Sequence, residues 1–419
     1  MKVCVVGSGG REHALARALA RTAEVVVTPG NPGMAGEPPG GYPIRVTDLP
    51  PEETGAGLVV VGPEQPLVDG LADRLRADGL AVLGPGAEGA RLEGSKAFMK
   101  ALLAEARAPT ARHGVFDDPA QARAFLRGLP GPFVVKTDGL ASGKGVLVTD
   151  DLAEAEADVD EKLSGRAFGE AGRTVVVEEG LVGAECSVHV LCDGTRIVPL
   201  PAARDYKRLE DGDGGPNTGG MGAVAGTGLV PGAVVDRILD ESVEPLVGAL
   251  RRRGIDYRGV LYAGMILTAE GPKVLEYNVR FGDPEAQVVL PLLTEDTTGL
   301  LAEAAAGRLR TEPRWSSGAA VCVVLAAAGY PTDPRPGDPV EGIDRAGALP
   351  GVSVVHAGTA RHAEGGFVTA GGRVLGVVGT GPSVPEARRR AYGGVEMIGF
   401  EGMVWRRDIA ADLALVGSA

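Results

Sequence analysis

Short apolar segments that end in glycine-rich turns recur through the N-terminal part of the chain. The first, residues 2–6, leads into Gly7-Ser8-Gly9-Gly10 and then into an Ala/Leu-rich helix predicted over residues 14–20. Further strands are predicted over residues 25–28, 58–61 and 81–83. This alternation predicts a small parallel α/β domain. Ligands bind beyond the carboxyl ends of such strands, where Gly10 and Glu64 lie. The alternative for Glu64 is a carboxylate that only favours a helix start.

The first glycine turn also suggests a dinucleotide site, which would make the chain an oxidoreductase. The third glycine position of that fingerprint is occupied by Glu12, and the second strand leads into Pro29-Gly30-Asn31-Pro32-Gly33 instead of an acidic residue. This alternative leaves the later motifs without a role.

Length and composition limit the class of protein. A chain of 419 residues exceeds one ordinary core. With 44% hydrophobic residues and no apolar run near the roughly 18–20 residues of a membrane span, a soluble globular protein is expected. The N-terminus does not resemble a signal peptide. Four cysteines without metal spacing favour a reduced cytoplasm, and a net charge of −13 disfavours nucleic acid as a partner.

The segment 273–287 carries the densest set of polar residues. Residues 268–272 form a turn, so a hairpin is predicted whose second strand begins near Val274. Alternation along that strand places Leu275, Tyr277 and Val279 on one face and Glu276, Asn278 and Arg280 on the other. The carboxylate and the amide oxygen suit Mg²⁺, and the guanidinium suits a phosphate or carboxylate. A solvated strand face is the alternative, but the following run, Arg-Phe-Gly-Asp283-Pro-Glu285, favours an active site.

A glycine-rich loop that contains Lys144 lies between the strands predicted around Lys136 and over residues 146–149. It lacks P-loop spacing, since Gly145 follows the lysine and a strand follows the loop. The loop still suits a polyphosphate as a flap, and an ordinary hairpin tip is the alternative.

Two further segments carry charge. Glu178 and Glu179 close an apolar strand and suit an amino group or a ribose, or a structural salt bridge. Residues 204–222 show little regular pattern and fit a loop around a charged ligand, with disorder as the alternative. From residue 313 a small mixed, β-rich domain with no catalytic constellation of its own is expected.

The motifs together resemble the glycinamide ribonucleotide synthetase family, also called phosphoribosylamine–glycine ligases, within the ATP-grasp superfamily. They run in order from residue 2 to beyond residue 380. The segments that carry the resemblance are GSGGREHALA, GPE at Gly62, LEGSKAFMK, VVKTDGLASGKGV, GPNTGGMGA, EYNVRFGDPE, HAGT at His356 and GGRVL at Gly371.

The resemblance implies a multidomain α/β and α+β protein with an ATP-grasp fold. The expected parts are an N-terminal doubly wound parallel α/β domain over residues 1–113, a small lid over 114–178, an antiparallel nucleotide-binding domain over 179–312 and a β-rich C-terminal domain over 313–419.

It also implies roles for individual residues. Lys96 and Lys136 would bind phosphate, the flap Gly143-Lys144-Gly145 would cover the triphosphate, and Glu276 and Asn278 would hold the metal. Glu178, Glu179 and Leu181 would lie at the adenine and Glu185 near the ribose. The candidates around phosphoribosylamine are Gly10, Glu64, Asp205, Lys207, Arg280 and Asp283, and the catalytic candidates are Arg280, Lys144 and Asp283.

The implied reaction joins glycine to 5-phosphoribosylamine with ATP and Mg²⁺ or Mn²⁺, in a cytoplasmic monomer. Two alternative hypotheses are that the chain is an ATP-grasp ligase for other substrates or an inactive binding protein. The sequence departs from the family pattern at Tyr206, where His is common. The strand before Glu276 also offers no further acidic metal ligand, which leaves the ligands of a second metal open.

Overall fold

The computed structural model describes residues 1–38, 40–140, 145–165 and 173–413. Within them, five strands pair in parallel in the order β3-β2-β1-β4-β5. The strands are β1 (Lys2–Gly7), β2 (Glu24–Pro29), β3 (Ile44–Val46), β4 (Leu58–Val61) and β5 (Ala81–Leu83). The helices that follow them are α1 (Gly10–Leu19), α2 (Glu64–Val68), α3 (Leu71–Ala77) and α4 (Ala87–Gly94). The predicted parallel α/β domain is confirmed.

Helix α1 begins at Gly10, earlier than predicted. The side chain of Glu12 accepts a hydrogen bond from the backbone N–H of Gly9 at 2.7 Å and closes the first turn as in a capping box. The prediction followed the Ala/Leu periodicity, which begins only at Ala14. The glycines before it gave no helical signal, so the start at Gly10 was missed.

A second sheet follows helix α5 (Lys96–Ala106) and is antiparallel, in the order β6-β9-β7-β8. Its strands are β6 (His113–Phe116), β7 (Phe133–Thr137), β8 (Val146–Thr149) and β9 (Val175–Glu179), with helices α6 (Pro119–Leu126) and α7 (Leu152–Leu163). Lys136 is opposite Val146 in the β7–β8 pair, which confirms the two strands predicted on either side of the glycine loop.

The largest sheet is antiparallel and, in the described part of the chain, has nine strands. Its order is β17-β16-β10-β12-β15-β18-β23-β20, and β11 pairs with β10. The strands are β10 (Ala184–Asp193), β11 (Ile197–Pro199), β12 (Ala203–Asp205), β15 (Gly222–Gly226), β16 (Arg258–Thr268), β17 (Gly271–Asn278), β18 (Ala319–Ala326), β20 (Val352–His356) and β23 (Arg373–Gly381). Strand β18 pairs with β15, so strands after residue 313 continue the same sheet. The domain limits given above remain predictions.

The remaining elements surround this sheet. Residues 204–222, predicted to be irregular, contain part of β12 and a short antiparallel pair, β13 (Arg208–Glu210) and β14 (Gly214–Asn217). That prediction was wrong because these strands are only three or four residues long and carry no apolar alternation. The other elements are helices α8 (Gly232–Ile238), α9 (Glu244–Arg252), α10 (Ala286–Val289), α11 (Thr297–Ala305), α12 (Ile343–Gly347) and α13 (Val384–Val395), and strands β19 (Pro339–Val340), β21 (Thr359–Arg361) and β22 (Phe367–Thr369).

The parallel domain and the large sheet share hydrophobic cores. Val5 and Leu19 of the first domain belong to the same buried cluster as Val288 and Cys322. Burial of this shared apolar surface fixes the two parts against each other. None of the helices described is both long enough and apolar enough to cross a membrane.

Candidate active site

A cleft of about 660 Å³ lies where the parallel domain, the lid sheet and the large sheet meet. This volume is in the range of small-molecule sites. The cleft is lined by many of the site residues predicted in the sequence analysis: Glu64, Lys96, Lys136, Gly145, Glu178, Glu179, Leu181, Glu185, Asp205, Lys207, Glu276, Asn278, Arg280 and Asp283. Their roles remain predictions, but the fold brings them to one cavity.

Of the remaining predicted residues, the structure describes Gly10. Gly10 is buried at the start of α1 and does not line the cleft; a Cβ there would lie 2.8 Å from Nε2 of Gln287. Gly143 and Lys144 lie outside the described residues.

The predicted hairpin is confirmed: β16 and β17 pair, with Thr268 opposite Gly271. The predicted alternation is wrong at Leu275, because a register shift between Gly264 and Met265 inserts an extra residue into β17. Val274 is therefore buried with Tyr277, and Leu275 lines the cleft instead.

Glu276 and Asn278 face the cleft together, as predicted, and the amide nitrogen of Asn278 donates to Oε1 of Glu276 at 3.4 Å. The residue opposite Glu276 on β16 is Gly264, which has no side chain to fill the space beside the carboxylate. An exposed carboxylate and an amide oxygen are oxygen donors of the kind that a hard divalent cation prefers, so this pair fits a metal.

Arg280 is held by carboxylates of the parallel domain. Its Nε lies 3.1 Å from Glu64, and its Nη2 lies 2.6 Å from Glu93. Burial lowers the pKa of Arg280, but Glu93 and Glu64 raise it above its usual value. Burial would raise the pKa of Glu64, but Arg280 and Arg11 lower it. Arg280 and Glu64, both predicted to bind substrate, therefore pair with each other.

Asp283 pairs with an arginine from the C-terminal part of the chain. Nη2 of Arg373, on β23, lies 3.0 Å from Oδ2 of Asp283, and Gln287 donates to Oδ1 at 2.7 Å. Burial raises the pKa of Asp283, but Arg373 brings it below the usual value. The C-terminal part was expected to carry no catalytic constellation, yet it contributes this cation to the cleft wall.

A buried carboxylate lies between lysines at the lid side. Oε1 of Glu178 lies 2.8 Å from Lys136, and Oε2 lies 2.8 Å from Lys100. Burial raises the pKa of Glu178, but the lysines lower it below its usual value. Burial lowers the pKa of Lys100 to about 8. The salt bridge left open as an alternative from the sequence is therefore present at Glu178.

The remaining lid contacts are made to the backbone. Lys96 donates to the carbonyl oxygen of Gly139 at 2.9 Å, and burial lowers its pKa. Glu179 accepts the backbone N–H of Arg112 at 2.9 Å. These bonds hold Lys96 and Glu179, both of which line the cleft.

Lys207 connects carboxylates from neighbouring strands. Its Nζ lies 2.9 Å from Glu185 and 2.9 Å from Asp205. The side chain is 39% exposed, and burial would lower its pKa, but Asp205 and further acidic groups raise it. The side chain of Tyr206 contacts the C-terminal segment: its hydroxyl accepts the backbone N–H of Ala410 at 2.9 Å and lies 3.2 Å from Asp412. The tyrosine at this position, where the family commonly has histidine, therefore anchors the C-terminal segment.

The sequence analysis assigned no individual role to Glu93, Glu285 and Arg373, which line the cleft, or to Lys100, which lies behind it against Glu178. Glu93 and Lys100 stand in LEGSKAFMK and Glu285 in EYNVRFGDPE, both already noted as motifs. Arg373 stands in GGRVL. The motifs marked the right segments, but only the tertiary contacts show which side chains reach the cleft.

The sequence matches family models along most of its length. These are the phosphoribosylglycinamide synthetase N domain over residues 1–93, its ATP-grasp (A) domain over 94–286 and its C domain over 320–412. The chain belongs to the phosphoribosylglycinamide synthetase family. This membership confirms the ATP-grasp fold, the family and the ligase class expected from the sequence.

Relatives of this family member carry matching names. It is 46% identical to a phosphoribosylamine–glycine ligase of Caulobacter vibrioides, over 98% of this chain and 97% of the relative. It is 48% identical to one of Streptomyces coelicolor, over 99% and 100%. The crystal structure of phosphoribosylamine–glycine ligase from Thermotoga maritima matches with a TM-score of 0.83 and 37% identity, over 98% of this chain and all of that one.

ATP-grasp enzymes in general use ATP and divalent metal ions. Among the residues with described positions, no three or more Asp, Glu, His or Cys side chains are grouped to hold a metal ion.

Proposed function

We propose that this enzyme joins glycine to 5-phosphoribosylamine with hydrolysis of ATP, giving glycinamide ribonucleotide, ADP and phosphate in purine biosynthesis. The observation that carries the proposal is the cleft itself. It places the lysines Lys96 and Lys136 and the pair Glu276–Asn278 in one cavity with Arg280 and further acidic and basic groups.

The chemistry requires an activated acid. A carboxylate is a poor acyl donor because oxide would have to leave. Transfer of the terminal phosphoryl group of ATP to glycine gives glycyl phosphate, from which phosphate leaves when the amine attacks. Phosphoryl transfer depends on positioning and on neutralising charge more than on a covalent nucleophile. The cleft supplies cations for this, and no nucleophilic serine or cysteine is required.

The nucleotide would bind between the lid and the large sheet. Lys96 and Lys136 would contact its phosphates, residues 178–181 and Glu185 its adenosine part, and the loop with Gly143, Lys144 and Gly145 would cover it. The pairing of Glu178 with Lys136 holds the lysine in position, since the carboxylate is fixed from its other side by Lys100.

Phosphoribosylamine and glycine would bind at Asp205, Lys207, Asp283, Arg280 and Glu64, all of which line the cleft. Glu64 and Glu93 hold Arg280 in place. We propose that its guanidinium orients substrate at the reacting end of the cleft, with Asp283 and Lys144 as the other catalytic candidates.

Glu276 and Asn278 would hold Mg²⁺ or Mn²⁺, which when bound neutralises phosphate charge. The cysteines, free and buried in the structure, suit a reduced cytoplasm, and a monomer is expected.

The decisive experiment measures phosphate release from ATP and formation of glycinamide ribonucleotide. Both should require glycine, phosphoribosylamine and a divalent ion together. Full turnover with another amino acid and none with glycine would overturn the substrate assignment, and NAD(P) reduction without ATP use would favour the oxidoreductase alternative.

A further inference from the structure

The second half of the proposed reaction requires a proton acceptor. When the amine of phosphoribosylamine attacks glycyl phosphate, its nitrogen forms the amide bond and must lose a proton. A suitable acceptor must lie in the cleft and must have a pKa near the working pH. It must also not be neutralised already by a fixed cation. The carboxylates of the cleft can be sorted by these requirements.

Most of these carboxylates are paired with cations. Among the described residues that line the cleft, the pairs are Glu64 and Glu93 with Arg280, Glu178 with Lys100 and Lys136, Glu185 and Asp205 with Lys207, and Asp283 with Arg373. Glu179 accepts a backbone N–H, and Glu276 lies exposed beside Asn278. Glu285 differs from all of them.

Glu285 is 3% exposed and lines the cleft, and its side-chain partner is a neutral hydroxyl. Ser187, on β10, donates to its Oε1 at 3.0 Å, and Oγ of Ser187 also lies 3.0 Å from the hydroxyl oxygen of Tyr262. Gly282 leaves room for the carboxylate, because a Cβ at that position would lie 2.4 Å from Oε2. The carboxylate is therefore buried and held, and no cation among the described residues is paired with it.

The surroundings of Glu285 adjust its affinity for a proton. Burial, followed by the negative charge of Asp205, raises the pKa of Glu285 to about 7, while Lys207 and the hydrogen bond from Ser187 oppose that rise. The titratable and charged groups that interact with it from the packed elements are Asp205 on β12, Lys207 beyond it, Tyr262 on β16, Arg280 on its own segment and Arg373 on β23.

We infer that Glu285 is the general base of the ligation step, an inference that rests on the proposed function. The nitrogen–carbon bond forms, and the bond from the acyl carbon to the phosphate oxygen breaks with its electron pair on phosphate. The proton of the attacking amine passes to the carboxylate of Glu285, which later returns it to solvent or to the departing phosphate. Ser187 is a positioning residue that holds and stabilises the ionised carboxylate.

The test is the dependence of kcat on pH, from about 5.5 to 8.5, with saturating ATP, glycine, phosphoribosylamine and Mg²⁺. The wild type should lose activity on the acid side as Glu285 is protonated. Glu285→Gln should lower kcat about 100-fold or more and remove that limb. Ser187→Ala should move the limb to higher pH, because the hydrogen bond that favours the carboxylate is lost. Glu270→Gln, at an exposed turn far along the hairpin, should reproduce the wild-type profile.

A wild-type acid limb in Glu285→Gln, or a Ser187→Ala profile that superimposes on the wild type, would overturn the inference. So would a Glu285→Gln variant whose only defect is a raised KM for glycine, since the carboxylate would then merely bind the ammonium group. Calorimetric binding of ATP verifies that Glu285→Gln is folded; if it is not, the Ser187→Ala profile decides. If the wild type itself forms no glycinamide ribonucleotide, it is the proposed function that fails.

Discussion

The guanidinium of Arg280 lies 2.6 Å from the carboxylate of Glu93, an ion pair that joins helix α4 of the parallel domain to the segment after β17. Glu93 also accepts the backbone N–H of Val279 at 2.8 Å. The side chain of Glu93 is 7% exposed and that of Arg280 is 16% exposed. The contact therefore excludes water and couples the position of the cleft arginine to the N-terminal domain.

Glu93→Gln should destabilise the protein by about 3 kcal/mol, since removing one partner leaves a buried charge less compensated. Urea unfolding provides the measurement. Glu88→Gln on the same helix is the matched control: its pair with Arg91 is exposed, and the loss should be below about 1 kcal/mol. Equal effects of the two substitutions would contradict the structural role given to Glu93.

Glu276→Gln and Arg280→Lys should fail in different ways. Glu276→Gln removes a metal-binding charge, so the rate should fall on the order of 100-fold, and added Mg²⁺ should restore part of it. Arg280→Lys loses the planar fork that pairs with Glu64 and Glu93. Its rate defect should depend on the concentration of phosphoribosylamine or glycine and should not change with added metal. Initial rates over a metal titration distinguish them; identical responses would refute the separate roles.

The glycine loop over residues 139–145 should close over bound nucleotide, as its glycines predict. Gly139 adopts a φ of 98° and accepts a hydrogen bond from Lys96, so closure should be linked to that lysine. Amide hydrogen exchange across these residues should slow when ATP and Mg²⁺ are added. Exchange that stays the same at saturating nucleotide would argue against a lid.

Glu285→Gln should stabilise the protein at neutral and higher pH while it lowers activity. The pKa of Glu285 is raised from 4.5 to about 7 in the folded state, so the native protein binds this proton more tightly than the unfolded chain does. Its stability contribution is complete below about pH 4.5 and is lost as the pH rises through about 7. The variant should gain about 3 kcal/mol at pH 8, and the gain should vanish near pH 4.5.

Thermal unfolding midpoints of the wild type and Glu285→Gln across this pH range check the prediction, with Glu270→Gln as the control for a change of charge. A stabilisation that is independent of pH would show that the carboxylate is not the source of the effect.

Much of the fold and the location of the site could be predicted from sequence. Strands β4, β5 and β8 have the bounds that their apolar runs predict. Apolar runs bounded by glycine and proline are local signals, and local signals predict local structure. The prediction failed where the local pattern gives no signal. The bulge in β17 shifts the register without an apolar cue, the strands within residues 204–222 are short, and glycines conceal the start of α1.

Local sequence patterns locate the segments that carry the chemistry, because a strand followed by a glycine turn, or a carboxylate two residues from an amide, places functional groups through backbone geometry alone. The partner of each charge, in contrast, is established by the tertiary contacts. Arg280 is occupied by Glu64 and Glu93, Asp283 by Arg373, and Glu178 by lysines on either side. Charge pairing depends on distance in space, and partners separated by up to 216 residues have no spacing that a sequence pattern can express.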